Sequence, residues 1–130
     1  MVWRFREESQ LPPVYGSDSS RFTVELHHGG FFCGVGANRS YVDGKVCWCD
    51  DLEAEWWCYL SIEEIMLMLD YGLGGPNIKV YWSLPEKDLS DGLRIVTSDE
   101  ETVIMKQLVH KVKKFILYFD HHNNIADLPK

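Results

Sequence analysis

The chain has no surplus of positive charge, no long apolar run and no cysteine pair at metal-ligand spacing. Thirteen Lys and Arg against twenty Asp and Glu leave a formal charge of −7. That balance suits no phosphate backbone, so direct nucleic acid binding is not expected. No segment approaches the roughly 20 apolar residues of a membrane span. The opening residues Met1 to Glu8 carry acids and lack the apolar stretch of a secretion signal. Cys33, Cys47, Cys49 and Cys58 are therefore expected as reduced thiols of an intracellular protein, nuclear or cytoplasmic. Cys47 and Cys49 are too close for the gap of about two to four residues usual in structural zinc sites. No metal and no cofactor is expected. Nor does a local Cys–His or paired-carboxylate signal emerge, since twenty acids make some proximity inevitable. No catalytic residues are assigned, and the chain is not expected to be an enzyme.

What is present is a globular pattern. Of 130 residues, 45% are hydrophobic and 13% aromatic, enough for one domain with a real core. Residues 1–20 read as a polar leader rich in turn formers, although Trp3 and Phe5 could tack its start onto the body. A first strand opens at Arg21, with Phe22, Val24 and Leu26 facing opposite to Arg21, Thr23 and Glu25. His27–His28–Gly29–Gly30 interrupts it as a bulge or turn before Phe31 and Phe32. Lys45 to Cys49 form a second strand, with Cys47 and Cys49 on one face and Val46 and Trp48 on the other. An acidic stretch and the cluster Trp56, Trp57 and Tyr59 follow.

Ser61 and Glu64 form a capping box ahead of a helix from Ile62 to about Tyr71, stopped by Gly72, Gly74, Gly75 and Pro76. Ile78, Val80, Trp82 and Leu84 alternate as a third strand, and Leu93 to Val96 form a fourth. Ser98 and Glu101 form a second capping box, for a helix from about Asp99 to Val112 with Ile104, Leu108 and Val112 four apart. Phe115, Leu117 and Phe119 are the buried side of a last strand. The order is β-β-α-β-β-α-β, which predicts an α+β fold, a ubiquitin-like β-grasp with a mixed sheet packed against two helices. Residues 21–120 are the domain and 121–130 a tail.

With these elements placed, the chain resembles the PB1-like domain of plant Mutator-type transposases and related plant proteins. The resemblance rests on Phe22–Thr23–Val24 leading to His27–His28–Gly29–Gly30–Phe31, then Tyr41–Val42–Asp43–Gly44. It continues through the Trp56/Trp57 region, Tyr71–Gly72, and Ile78 to Trp82. It implies a β-grasp that binds other proteins, often other PB1-type domains, by setting an acidic segment against a basic residue on a partner's first strand. The corresponding acids here are Glu86, Asp88, Asp91, Asp99 and Glu100, continuing to Glu101, at a looser spacing than the family's acidic loop. The first strand offers only Arg21 as its basic residue.

Three surfaces are thus candidates. The acidic segment would draw a partner's Lys or Arg, although acids at a helix head also favour the helix itself. Leu67 and Met68, off the main face of the first helix, join Trp56 and Trp57 as candidate hydrophobic contacts. One of the two tryptophans belongs to the core, because neighbours in an extended segment point opposite ways. Lys106, Lys111, Lys113 and Lys114 would matter to a nucleic-acid-associated accessory module only if they formed one positive face. A small zinc or thiol protein would require the four cysteines to converge. The leading expectation is a non-catalytic protein–protein interaction module. It would self-associate or bind a heterologous protein, as a transposase-derived regulator, with no membrane partner.

Overall fold

A computed structural model describes residues 3–72, 78–89 and 91–121. The helix stop read at Gly74, Gly75 and Pro76, and the tail beyond His121, lie outside the described residues. The elements are β1 (Arg4–Phe5), β2 (Arg21–His28), β3 (Phe31–Cys33), β4 (Ser40–Val42), β5 (Lys45–Glu53), α1 (Tyr59–Met68), β6 (Lys79–Ser83), β7 (Leu93–Val96), α2 (Asp99–Leu108) and β8 (Lys114–Asp120). Six strands form one sheet in the order β1-β5-β2-β8-β6-β7. The central pair, β2 and β8, is parallel, and the other pairings are antiparallel. A parallel pair needs a long crossover, and here the whole stretch from β3 through α2 supplies it. This is the mixed sheet on two helices that the β-grasp order predicts.

The period-two pattern of the strands decides which face meets the helices. Phe22, Val24, Leu26, Cys49, Leu52, Val80, Trp82, Phe115, Leu117 and Phe119 point inward and share one core with Ile62, Ile65, Met66, Met105 and Val109. At its centre Phe22 meets both Trp57 and Phe115 edge to face. Burial of these side chains is worth roughly 1.5–3 kcal/mol each against exposure, so this face dominates the stability.

Several boundaries differ from the sequence reading. β5 runs on to Glu53, because Asp50 and Asp51 together oppose Thr23 in a bulge. Asp51 takes φ 65° there, and the bulge returns Leu52 to the core. Helix α1 starts at Tyr59, three residues earlier than the Ser61 box implies. Cys58 is the N-cap, and Ser61, at the third helical position, accepts the Cys58 N–H at 3.2 Å. The helix ends at Met68, with Asp70 turning into the left-handed region at φ 70°.

The expected stripe of α2 is also displaced. Thr102, Met105 and Val109 are buried, while Ile104, Leu108 and Val112 pack partly exposed beside them. The helix proper closes at Leu108. In β7 it is Val96 that reaches the core, and Ile95 lies on the outer face.

The outer face of the sheet is only half open. The small β3–β4 hairpin folds across it and stacks Phe32 and Tyr41 on Tyr118. Tyr41 Oη accepts the Gly30 N–H at 2.9 Å and donates to the Phe119 carbonyl at 2.6 Å. Gly30 has to be glycine, since a Cβ there would sit 2.2 Å from the Val42 carbonyl oxygen. Arg6 and Tyr15 cover another part of the same face, bonded to Asp50 and Thr23.

Candidate functional site

The five acids of the proposed segment fall into two groups at the two ends of β7. Glu86, Asp88 and Asp91 stand exposed in the β6–β7 loop. That loop is closed by the Asp91 and Gly92 N–H groups donating to the Asp88 carbonyl, and by Leu84 N–H donating to Gly92. Asp99 and Glu100 stand at the head of α2, about 13 Å of strand away at roughly 3.3 Å per residue. The segment is continuous in sequence but divided in space.

The α2 head is built by its cap. Ser98 accepts the Glu100 N–H, and three acids in the first turn favour the positive helix end. The expected reciprocal half of the box is absent, because the Glu101 side chain goes elsewhere. Its carboxylate takes Arg94 bidentately at 2.7 and 2.9 Å and Trp82 Nε1–H at 2.7 Å. The Arg94 guanidinium holds the Glu101 carboxyl below the usual range against a smaller opposing effect of burial. Glu101 is thereby structural, whereas Asp99 and Glu100 remain at the surface.

Asp99 has a second role. Its Oδ1 accepts the main-chain N–H of Tyr59 at 2.8 Å. An otherwise unpaired donor in the first turn of α1 is thus satisfied from the first residue of α2. The heads of the two helices therefore lie side by side, and the acids of one border the apolar surface of the other.

That apolar surface begins at Trp56 and Leu60, which are 60% and 66% exposed. With Trp3, Cys58, Ser61 and Glu64 they line an open depression of about 410 Å³. Leu67 and Met68 carry the exposed apolar surface toward the far end of α1. Trp57, by contrast, is 1% exposed and donates Nε1–H to Met105 Sδ, so it is a core residue and no contact for a partner. Of the two tryptophans, Trp56 is the surface one. Leu60 escaped the sequence reading, and Trp3, read as a tack onto the body, was not expected to border Trp56. Leu60 would have been found had α1 been started at Tyr59, since Leu60, Glu64 and Leu67 then fall on one face of the helix.

The lysines do not gather into one positive face. Lys113 Nζ donates to the Ser19 carbonyl, and Lys114 pairs with Glu25 on the outer sheet face. Lys106 lies on α2, in a shallow depression with His110 and Ser17 to Ser20. Lys111 is exposed in the turn that follows α2. Arg21, the one basic residue at the start of the first domain strand, is engaged by Glu53 at 3.0 Å.

The cysteines do not converge either. All four are free thiols, and among the described residues no group of three or more His, Cys, Asp or Glu could hold a metal ion. Cys47 Sγ lies 3.6 Å from His28 Nε2, whose other nitrogen is 2.8 Å from Tyr71 Oη. Burial pushes the Cys47 thiol up to about 11 and lowers His28. The pair is therefore a neutral thiol beside a neutral imidazole, the reverse of the ionised state a cysteine nucleophile requires. Among the described residues no helix is long and apolar enough to cross a membrane.

Comparison with known proteins bears directly on this arrangement. A family model described as a PB1-like domain matches residues 18–122. No curated protein and no solved structure matches the chain. The chain belongs to the PB1-like domain family, and it is a non-catalytic protein-interaction module.

Proposed function

We propose, from that membership, that the module docks a basic segment of a partner protein across the joined heads of α1 and α2. Asp99 and Glu100 would supply the charge, and Trp56 and Leu60 the apolar anchor. The Asp99–Tyr59 hydrogen bond carries this reading, because it sets acids and exposed aromatic surface side by side on one rigid corner. A charged rim around an apolar anchor is the usual anatomy of a specific protein contact. Glu86, Asp88 and Asp91, at the other end of β7, would extend the acidic track for a longer partner and speed its arrival. Leu67 and Met68 would extend the apolar one.

The partner is a second copy or a heterologous protein, and light scattering with in-line size-exclusion chromatography on reduced protein separates the two. Association that rises with concentration and weakens with salt supports a second copy. In that case Glu100→Lys and Leu60→Asp should each abolish it. A strict monomer at every concentration overturns self-association and leaves the heterologous partner. The motif likeness to domains of plant Mutator-type transposases supports an origin there, with the nucleus or cytoplasm as the place of work. No observation favours the nucleic-acid or the zinc and thiol readings, since two of the four lysines are engaged within the chain and the cysteines stand apart.

A further inference from the structure

The family match begins at residue 18, yet residues 3–6 make some of the most specific contacts in the molecule. β1 adds to the outer edge of β5, with Arg4 opposite Asp50 and Phe5 opposite Cys49. Arg6 N–H then donates to the Trp48 carbonyl at 2.8 Å. The side chains continue the contact. Arg6 grips Asp50 bidentately, with Nε and Nη2 each 2.9 Å from a carboxylate oxygen, and its guanidinium lies 5.1 Å from the centre of the Trp48 ring. Thr23 Oγ1 donates to the same carboxylate at 2.6 Å. Asp50 is fully buried. Trp3 and Phe5 meet edge to face and pack on the core.

The socket lies at the start of the β5 bulge, where strand alternation puts Asp50 on the outer face with Trp48 and the bulge sets it opposite Thr23. It is specific for a guanidinium. An ammonium could not make the two parallel bonds, nor stack as a plane on the indole. Its occupant is held by only a short stretch of ladder and is joined to the domain through residues 7–20. Within that connection Tyr15, Ser19 and Ser20 are bonded back to Thr23, Asp51, Lys113 and Ala54. The remaining residues 7–14, mostly exposed and containing Pro12 and Pro13, can span roughly 26 Å when extended. Such an attachment is long enough to reach the socket of a closely approaching neighbour as well as its own, although its own is favoured at low concentration.

We propose that the Asp50 socket and the outer edge of β5 are a docking site for residues 3–6 of a second copy of this chain, so that two chains exchange these segments. The occupant is fixed by chemistry already present, an aromatic-x-aromatic-Arg pattern that fills the edge, the apolar shelf and the socket together. Exchange makes no contact that the closed chain lacks, so it is favoured by concentration alone. It is separate from the helix-head surface, and its buried ion pair makes it far less sensitive to salt.

The test mixes two full-length variants. Arg6→Ala has an intact socket and no guanidinium, and Asp50→Asn has an intact segment and a neutral socket. Neither alone can form the charged pair, but a mixture can, by placing the Arg6 of one chain in the Asp50 socket of the other. The expected result is that at high salt, where any association through the helix heads is weakened, each variant alone is monomeric while the equimolar mixture doubles its mass by light scattering. A mixture that stays monomeric, with both variants folded by circular dichroism, overturns the proposal. A buried Asp50 without its partner could prevent Arg6→Ala from folding alone. In that event a synthetic peptide of residues 3–15 should restore its folded signal, and the same peptide carrying Arg6→Ala should require at least tenfold more. Restoration by neither, or equally by both, overturns it as well.

Discussion

Asp99, the first residue of α2, accepts the main-chain N–H of Tyr59, the first residue of α1, at 2.8 Å. One carboxylate therefore borders its own helix head and satisfies a donor in the neighbouring one, where both positive helix ends favour it. This corner fixes the angle at which the acids of α2 meet the exposed Trp56 and Leu60. The contact is sequence-remote, forty residues apart, so neither capping box could have announced it.

Replacing Asp99 by alanine should consequently have two effects. Loss of the cap on α1 should lower stability by about 1 kcal/mol, the usual cost of removing a helix-capping side chain. Urea unfolding followed by far-ultraviolet circular dichroism measures it as a lower midpoint with unchanged slope. Asp99→Asn, which keeps an acceptor oxygen, should recover most of the stability. It should not recover salt-sensitive partner binding, because the charge is gone.

The two adjacent tryptophans should separate stability from binding. Trp57→Ala empties a fully packed site against Phe22 and Met105 and should cost about 3–5 kcal/mol. Trp56→Ala, at an exposed position, should change stability by no more than about 0.5 kcal/mol. If Trp56 is a partner anchor, its removal should nevertheless weaken association at least tenfold. A Trp56→Ala chain that associates normally would remove this residue from the contact surface.

These contrasts also show how far the residues themselves reveal the molecule. Strong alternation, as in Val80 and Trp82 or Phe115, Leu117 and Phe119, fixes the inward face because a one-residue slip would expose the whole set. The element order followed from such runs, and with it the β-grasp. Positions governed by tertiary partners were not legible. Asp50 and Asp51 read as an acidic stretch beyond a strand ending at Cys49, since nothing local indicates that Arg6 will neutralise a buried carboxylate there. Ser61 read as an N-cap, although its hydroxyl serves the cap from three residues inside the helix. The acids of the candidate site were visible as residues, but not their division between the ends of β7. Leu60 became visible as a surface anchor only once the true start of α1 was known.

Tyr41→Phe tests how the β3–β4 hairpin is fastened. The hydroxyl joins the Gly30 N–H and the Phe119 carbonyl, two main-chain groups on different elements. Without it the ring can still stack on Phe32 and Tyr118, but both groups lose a partner. The expected cost is about 1–3 kcal/mol, the penalty of leaving buried polar groups unsatisfied. Hydrogen exchange should accelerate selectively at Gly30 and in β3 and β4, more than in the β2–β8 pair.

Stability should fall on acidification in two stages. His28 and His121 are both lowered from the ordinary 6.5, chiefly by burial; the charges of His121, Lys45 and His27 lower His28 further, while Asp120 partly offsets the lowering of His121. Their folded state thus favours the neutral ring, so the stability they contribute is complete above about pH 6.5 and declines as pH falls toward their folded values. The second stage belongs to carboxylates lowered in the folded state. For Asp50, burial alone would raise the carboxyl, but hydrogen bonds from Arg6 and Thr23 outweigh it. Glu101 is lowered chiefly by its hydrogen bonds from Arg94. Their contribution is complete above the ordinary values of 3.8 and 4.5 and is lost as pH falls through the folded values. Urea midpoints measured from pH 8 to pH 3 should therefore decline first below about 6.5 and then more steeply below about 4.5. The His28→Gln, His121→Gln double variant should flatten only the upper limb, and Asp50→Asn only the lower one. An upper limb unchanged in the double variant would mean that neither histidine is held neutral by the fold.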